Sequence, residues 1–208
     1  MQTHEILAAR LHDLGGGFVV RRLLPAAARA SVGPFVFFDH FGPVQAQPGD
    51  NHDVRPHPHI GLSTVTYLFE GAMQHRDSTG AVQRMEPGQL NWMTAGQGIV
   101  HSERTPDDLR DQPRVVHGLQ LWMALPADQE ECAPSFHHFE AEAIPKVPLE
   151  GACVVLIGGE PLGPRHSVWN FVSSRRERLL QAREDWQAQR FPAIAGETEY
   201  IPFPASRA

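Results

Sequence analysis

The sequence is poor in cysteine, lacks a long apolar run and carries no excess of positive charge. Cys132 and Cys153 are its only cysteines and form no CxxC pair, so neither a disulfide framework nor a thiolate zinc knot is expected; we interpret both as free thiols of a cytoplasmic protein. The first residues show no secretory signal, and no segment is apolar enough to cross a membrane. A formal net charge of −6 gives no reason to expect direct nucleic-acid binding. No Gly-x-Ser-x-Gly motif supports a serine hydrolase.

Glycine and proline are both frequent, at 18 residues each. They interrupt the chain at short intervals, which is typical of an all-β barrel or sandwich with many turns. Stretches rich in β-branched and aromatic side chains predict the strands between these turns. The predicted strands are 18–24, 32–42, 64–69, 90–94, 99–103, 117–125 and 152–157, with a hairpin over 75–84 and an extended piece over 168–172. We expect turns at 15–17 and 158–163 and an irregular segment over 127–150.

One helix is predicted near the C-terminus. Ser174 followed by Glu177 has the spacing of a capping box. Leu179, Ala182 and Trp186 then recur at helical spacing, with charged residues between them. We interpret this apolar stripe as core packing and not as part of a cofactor site.

Two short motifs carry most of the functional information. His57-Pro58-His59 is followed, after 41 intervening residues, by His101-Ser102-Glu103. Each motif places two metal-binding side chains at positions i and i+2, and such positions share one face of a β-strand. If the two strands are neighbours, three imidazoles and one carboxylate converge on one point.

Three nitrogens and one carboxylate oxygen suit a divalent ion such as iron, manganese, nickel, copper or zinc. The alternative is coincidence, because the chain has 12 histidines and a single HxH pair is weak evidence. A second motif on a strand-like segment makes a metal site the stronger interpretation. His75 and Asp77 could be a supporting pair beside the metal, but we expect them to be a solvated cross-strand pair. His137 and His138 are expected on the surface, on opposite faces of an extended segment.

The residues around these motifs resemble the pirins, members of the cupin superfamily, which is named after a small double-stranded β-barrel. The most specific stretch is Trp92-Met-Thr-Ala-Gly-Gln-Gly-Ile-Val-His-Ser-Glu103, and residues 57–67 also fit. Further matching stretches are 33–40, 118–122 and 169–174. The resemblance implies an all-β fold with an N-terminal metal-binding cupin barrel over residues 1–130. Residues 131–208 would then form a shortened second cupin region with a C-terminal helix and tail.

The resemblance also implies a function. It implies that His57, His59, His101 and Glu103 hold one metal ion, with iron as Fe(2+) expected and Zn, Mn, Ni or Cu able to use the same ligands. One implied role is a quercetin 2,3-dioxygenase-like oxidoreductase acting on flavonols or similar enediols. The alternative is a non-enzymatic, metal-dependent regulator that binds a transcription factor or a metabolic enzyme. A third interpretation is a vestigial cupin with a structural metal.

Two features depart from the family pattern. Many relatives have an acidic residue where Ser63 stands and a basic residue where Ile60 stands. Typical pirins also have two full barrels, whereas this chain passes from the start of the second barrel, near Gly151, directly into its last strands. Either the second barrel is reduced, or residues of a longer chain are omitted.

Overall fold

The computed structural model describes residues 6–14, 18–145, 147–149, 152–154 and 159–205. Most regular structure there is β, and one α-helix follows the last strand. The strands are β1 (Arg10–Asp13), β2 (Val19–Leu24), β3 (Phe35–Ala46), β4 (Val54–His59), β5 (Leu62–Glu70), β6 (Met73–Asp77), β7 (Val82–Met85), β8 (Leu90–Thr94), β9 (Ile99–Arg104), β10 (Arg114–Ala124), β11 (Ser135–Phe139), β12 (Val147–Leu149), β13 (Ala152–Val154), β14 (His166–Val168) and β15 (Phe171–Ser173). The helix α1 covers Arg176–Gln187, and short 3₁₀ turns cover Asp107–Leu109 and Ala141–Ala143.

Two antiparallel sheets form the barrel. One has seven strands in the order β1-β2-β3-β10-β5-β8-β11, and the other has four in the order β4-β9-β6-β7. Hydrogen bonds cross between the sheets, because Glu103 on β9 is bonded by Thr66 on β5 and Gln120 on β10. The predicted double-stranded β-barrel is therefore confirmed.

Alternation along β9 gives the four-stranded sheet two buried faces. Glu103 points into the barrel, and His101 shares that face because it lies two residues away. Val100 points the opposite way, into the apolar cluster under the helix, and Ser102 points to the C-terminal tail. Helix and tail therefore cover the back of the strand that carries His101 and Glu103.

The second cupin region is small. Besides β11, the helix and the tail, its described residues form the hairpins β12–β13 and β14–β15. β15 joins the barrel through a bridge between Phe171 and Ile60, and the Val172 N–H donates to the Ile60 carbonyl at 3.2 Å. Gly61 makes this approach feasible: its φ is +66°, and a Cβ there would lie 1.9 Å from the Val172 carbonyl oxygen. The expected reduced second region is thus present and attached beside His59.

The helix packs on the barrel through an apolar cluster. Leu179, Ala182 and Trp186 are buried, as the sequence predicts. The other buried members of the cluster are Ile60, Val100, Phe171 and Ile194. No helix in the described part of the chain is long and apolar enough to span a membrane.

The predicted capping box is wrong. The residue before the helix is Arg175, and no side chain caps the first turn. The hydroxyl of Ser174 instead donates to the buried carboxylate of Glu130 at 2.9 Å. A tertiary contact with a buried acceptor therefore takes the hydroxyl that the local pattern assigned to the helix.

Two segment predictions also need correction. Residues 127–150 are not irregular throughout, since β11 pairs with β8 and adds an edge strand to the large sheet. On β11, His137 is exposed as expected, while His138 is half-buried and contacts Asn91 at 2.7 Å. Residues 168–172 form a hairpin and not one extended piece, because the chain turns at Trp169, whose φ is +53°. The predicted turn at 15–17 and residues 155–158 lie outside the described residues.

Replacing Trp186 by alanine should lower the free energy of unfolding by about 3–5 kcal/mol, because it removes a large buried side chain and leaves a cavity. Trp186 is 4% exposed. Leu180→Ala on the same helix is the control, because Leu180 is 53% exposed, and should change the value by about 0.5 kcal/mol or less. Urea titration followed by circular dichroism measures both. Equal losses would contradict the packing described here.

Candidate metal centre

Three histidines from two paired strands meet in the barrel interior. β4 and β9 run antiparallel with His57 directly opposite His101, and His59 lies two residues further along β4. The His101 ring centroid lies 4.4 Å from that of His57 and 5.0 Å from that of His59. The three rings offer nitrogens that all lie within 4.8 Å of one another. The structure therefore brings together the three imidazoles singled out from the sequence.

The three rings are almost completely buried, with 6% of His57 and 1% each of His59 and His101 exposed. Burial lowers the pKa of His59 and of His101 well below the ordinary histidine value, and His57 lowers both further. Burial also lowers the pKa of His57, although its hydrogen bond to the Arg55 backbone and the Glu103 carboxylate act in the opposite direction. The rings are therefore neutral near pH 7, which leaves each with a nitrogen lone pair for a metal.

Hydrogen bonds indicate which nitrogens face the centre. Nδ1 of His57 donates to the Arg55 carbonyl at 2.8 Å, so Nε2 carries the lone pair. Nδ1 of His59 and Nδ1 of His101 have no hydrogen-bond partner among the described residues. The backbone of Asn170 acts on His59 and raises its pKa against the effect of burial.

The nitrogen positions fit a transition-metal ion. Nε2 of His59 and Nε2 of His101 lie 3.1 Å apart, about the separation of two nitrogens that bind one ion at about 2.1 Å and at nearly right angles. A direct hydrogen bond between these two rings would also give this distance, but it leaves the third imidazole, His57, unexplained. A set of three neutral imidazoles is one that divalent iron, nickel, copper and zinc accept.

Glu103 lies beside the imidazoles, but its carboxylate is outside the group of nitrogens within 4.8 Å of one another. It is 6% exposed and accepts hydrogen bonds from the Thr66 hydroxyl at 3.1 Å and from the Gln120 amide at 2.9 Å. Sequence reasoning did not identify Thr66 or Gln120. The available signal was a polar residue in the middle of a predicted strand, 64–69 for Thr66 and 117–125 for Gln120.

A second buried pair lies behind the imidazoles. Nε2 of His75 is 2.9 Å from Oδ2 of Asp77, and the two residues are 3% and 2% exposed. Burial raises the pKa of Asp77, but the hydrogen bonds from His75 and Thr79 outweigh it and lower that pKa overall. The His75 ring is 5.4 Å from the His101 ring. Our expectation of a solvated pair is therefore wrong, and the buried pair supports the wall of the site.

A cavity of about 1070 Å³ opens beside the site. His57 and Glu103 line it, so ligands can reach the centre from this side. Phe37 and Trp122 also line it and stack with their ring centroids 4.0 Å apart. The Trp122 ring also meets the His59 ring edge-on at 5.0 Å. The volume lies slightly above the usual range for small-molecule sites, about 300–1,000 Å³.

The outer side of the same two strands is fixed by the C-terminal tail. Ser102 donates to Glu197 at 2.8 Å, and Arg104 bonds to the same carboxylate. The Ile201 N–H donates to the Pro56 carbonyl at 2.8 Å. Both β4 and β9 are therefore attached to the tail within two residues of a site histidine.

Comparison with known proteins agrees with this geometry. A model of the Pirin family matches residues 17–123, and a model of the Pirin C-terminal cupin domain matches residues 137–192. The chain belongs to the pirin family. A pirin-like protein of Caulobacter vibrioides is 37% identical over 286 aligned positions, which include 96% of this chain and 98% of the relative. This alignment is longer than the 208 residues of the chain, so parts of that pirin have no counterpart here.

Other pirin relatives match over a shorter part of their length. A Pseudomonas aeruginosa protein with the provisional name quercetin 2,3-dioxygenase is 43% identical over 167 residues, 78% of this chain and 51% of the relative. The chain thus spans about half the length of this relative. A crystal structure of quercetin 2,3-dioxygenase from Acinetobacter baumannii has a TM-score of 0.83 at 27% identity, covering 97% of this chain and 95% of that one. The short architecture is therefore shared with a chain of similar length.

The double variant His57→Ala, His101→Ala should lose tightly bound metal, because one remaining imidazole gives too few ligands to hold an ion. Elemental analysis of the purified protein measures this, and circular dichroism checks that the fold remains. His137→Ala is the matched control, because His137 is exposed on β11, and should keep the metal content of the parent protein. A double variant with unchanged metal content would contradict the assignment of these histidines.

Acidification should weaken the attachment of the tail. Hydrogen bonds from Arg104 lower the pKa of Glu197 more than burial raises it. A carboxylate whose folded pKa is depressed stabilises the fold above its unfolded pKa, and this contribution is lost as pH falls through the folded pKa. The loss should therefore begin near the ordinary glutamate pKa of about 4.3 and continue below it.

Free energies of unfolding measured from pH 6 downward test this expectation. Glu197→Gln should be less stable than the parent protein at pH 6 by about 1 kcal/mol and should lose less on acidification. Glu184→Gln, at an exposed helix position, should follow the parent curve. A Glu197→Gln curve parallel to the parent curve would show that this carboxylate contributes nothing.

Proposed function

We propose that the protein is a metal-dependent dioxygenase of the pirin type, with quercetin 2,3-dioxygenase-like activity on flavonols or similar enediols. The observation that carries this proposal is the group of three neutral imidazoles at the edge of a cavity large enough for a flavonol. The Acinetobacter structure named quercetin 2,3-dioxygenase has the same fold over 97% of this chain, which supports the choice of substrate class.

The proposed ligands are His57, His59, His101 and Glu103. Three nitrogens and one oxygen leave free positions on an ion that accepts six ligands, and we propose Fe(2+) as the native metal. Zn, Mn, Ni and Cu are the alternatives that the same ligands accept. A bound divalent metal would supply Lewis acidity toward the enediol oxygens of the substrate and redox chemistry toward dioxygen.

The protein's own residues position this chemistry. Gln120 bonds to both oxygens of Glu103 and Thr66 to one, which orients the carboxylate. The bond from His57 to the Arg55 carbonyl fixes the ring with Nε2 inward. A flat substrate can lie along the apolar wall that includes Phe37, which would hold its reacting oxygens toward the site.

The cavity also separates this proposal from the regulatory alternative. A metal-dependent switch without a substrate needs no access for small molecules, whereas His57 and Glu103 both line an open cavity. This access favours a small-molecule substrate over a transcription factor or metabolic enzyme as the direct ligand of the site.

Anaerobic loading with Fe(2+), followed by quercetin and air, tests the activity. The flavonol absorbance should fall only when metal, protein and dioxygen are all present. Glu103→Gln should reduce the rate by at least tenfold, because it removes the anionic ligand while it keeps a similar shape. Gln112→Glu is an exposed control and should keep the parent rate. No metal-dependent loss of absorbance would remove the dioxygenase proposal.

A further inference from the structure

One polar group in the cavity wall has no partner in the protein. Trp122 lines the cavity beside the metal centre and is only 8% exposed. Its buried Nε1–H donates to no acceptor among the described residues. Most buried side-chain donors are hydrogen-bonded, because an unpaired one loses the bond that it made with water in the unfolded chain. The indole N–H of Trp122 therefore calls for an acceptor that the protein itself does not supply.

The surroundings of the ring explain why no acceptor is present. Trp122 belongs to an apolar cluster, whose other buried members are Phe37, Leu62, Ala124 and Val172. The imidazole of His59 meets the indole edge-on, with ring centroids 5.0 Å apart. Neither nitrogen of His59 accepts the N–H, since Nε2 lies 3.1 Å from Nε2 of His101 and Nδ1 has no partner. These neighbours are therefore either apolar or part of the metal centre.

A second polar side chain on the same strand face is already used by the protein. Gln120 lies two residues before Trp122 on β10, so both point into the barrel, and both line the cavity. The Gln120 amide donates to both oxygens of Glu103. Of these two donors on the inner face of β10, only the indole N–H is left for a ligand.

The indole ring is held in a fixed orientation. Trp122 on β10 lies directly opposite Phe37 on β3. Their rings stack with centroids 4.0 Å apart and an angle of 12° between the ring planes. The donor is therefore in place before a ligand arrives, so a hydrogen bond from it costs little side-chain entropy.

We propose, on the basis of the function above, that Trp122 is a specificity-determining residue, which donates its indole N–H to the carbonyl oxygen of the bound flavonol-type substrate. Tryptophan donates and cannot accept, so it matches an oxygen that only accepts. A carbonyl oxygen has two lone pairs, and one can bind the metal while the other accepts from Trp122. A ligand whose metal-binding end lies beside His59 brings this oxygen next to the indole.

Nuclear magnetic resonance of the indole N–H groups tests this contact directly. The labelled protein is loaded with diamagnetic Zn(2+), one of the ions that imidazoles accept. The chain has four tryptophans, so variants of the other three identify the Trp122 signal by elimination. Quercetin should move the proton of this signal downfield, because a new hydrogen bond deshields it. An unchanged signal at saturating quercetin would overturn the proposal.

A matched pair of ligands separates the hydrogen bond from general packing: a flavonol, and the same flavonol with its carbonyl replaced by a thione, whose sulfur is a weaker acceptor. Both are titrated into the Zn(2+)-loaded protein, and calorimetry measures the dissociation constants. Trp122→Phe keeps an aromatic ring but removes the N–H. It should weaken binding of the carbonyl ligand about fivefold, the usual effect of one hydrogen bond, and leave binding of the thione unchanged.

Trp92→Phe is the matched control, because Trp92 lies on β8 and does not line the cavity. It should keep the affinities of the parent protein for both ligands. Circular dichroism and elemental analysis check the fold and the metal content of each variant. If Trp122→Phe does not fold, the resonance measurement on the parent protein decides.

Equal weakening of both ligands by Trp122→Phe, or no binding of either ligand to the parent protein, would also overturn the proposal. These measurements do not depend on turnover. An indole hydrogen bond without any dioxygen-dependent loss of flavonol would remove the dioxygenase function but keep the donor role of Trp122. Turnover of quercetin with an unchanged indole signal would do the reverse.

Discussion

The antiparallel pairing of β4 with β9 is the interaction on which the site depends. Its register puts His57 opposite His101, and strand alternation then puts His59 and Glu103 on the same face. A slip of β4 by one residue would turn His57 and His59 away from His101 and Glu103. Packing on the opposite face also fixes this register, because Val100 and Ile60 lie in the apolar cluster under α1. The same strand pairing therefore determines where the apolar face of the helix packs and where the imidazoles lie.

Much of this centre could be predicted because it depends on local periodicity. The two motifs with i, i+2 spacing and the strand-like residues around them are enough to predict three convergent imidazoles. Metal binding by the three histidines and by Glu103 stays a prediction, and in the structure the Glu103 carboxylate is engaged by Thr66 and Gln120. Those two contacts come from β5 and β10 and depend on how the sheets face each other, which no local pattern specifies.

The wrong predictions have a related cause. Ser174 has the right spacing for a capping box, but the buried Glu130, distant in sequence, takes its hydroxyl. The hairpin at Trp169 reads as a strand because its residues favour extended structure, and contact with the barrel decides where it turns. The resemblance to the family predicts a basic residue at position 60, where this chain has Ile60. In the structure it is 1% exposed and belongs to the cluster under the helix, which is the environment an aliphatic side chain requires.

Proline on β4 has a consequence for how copies of the chain meet. β4 is the outermost strand of its sheet, and Pro56 and Pro58 have no N–H with which to extend it. The carbonyl oxygen of Pro56 already accepts a hydrogen bond from the Ile201 N–H. An incoming strand from another molecule would therefore find few free partners along this edge. Pro56, which precedes the histidine motif, and Pro58, which lies within it, thereby also protect the chain against edge-to-edge aggregation.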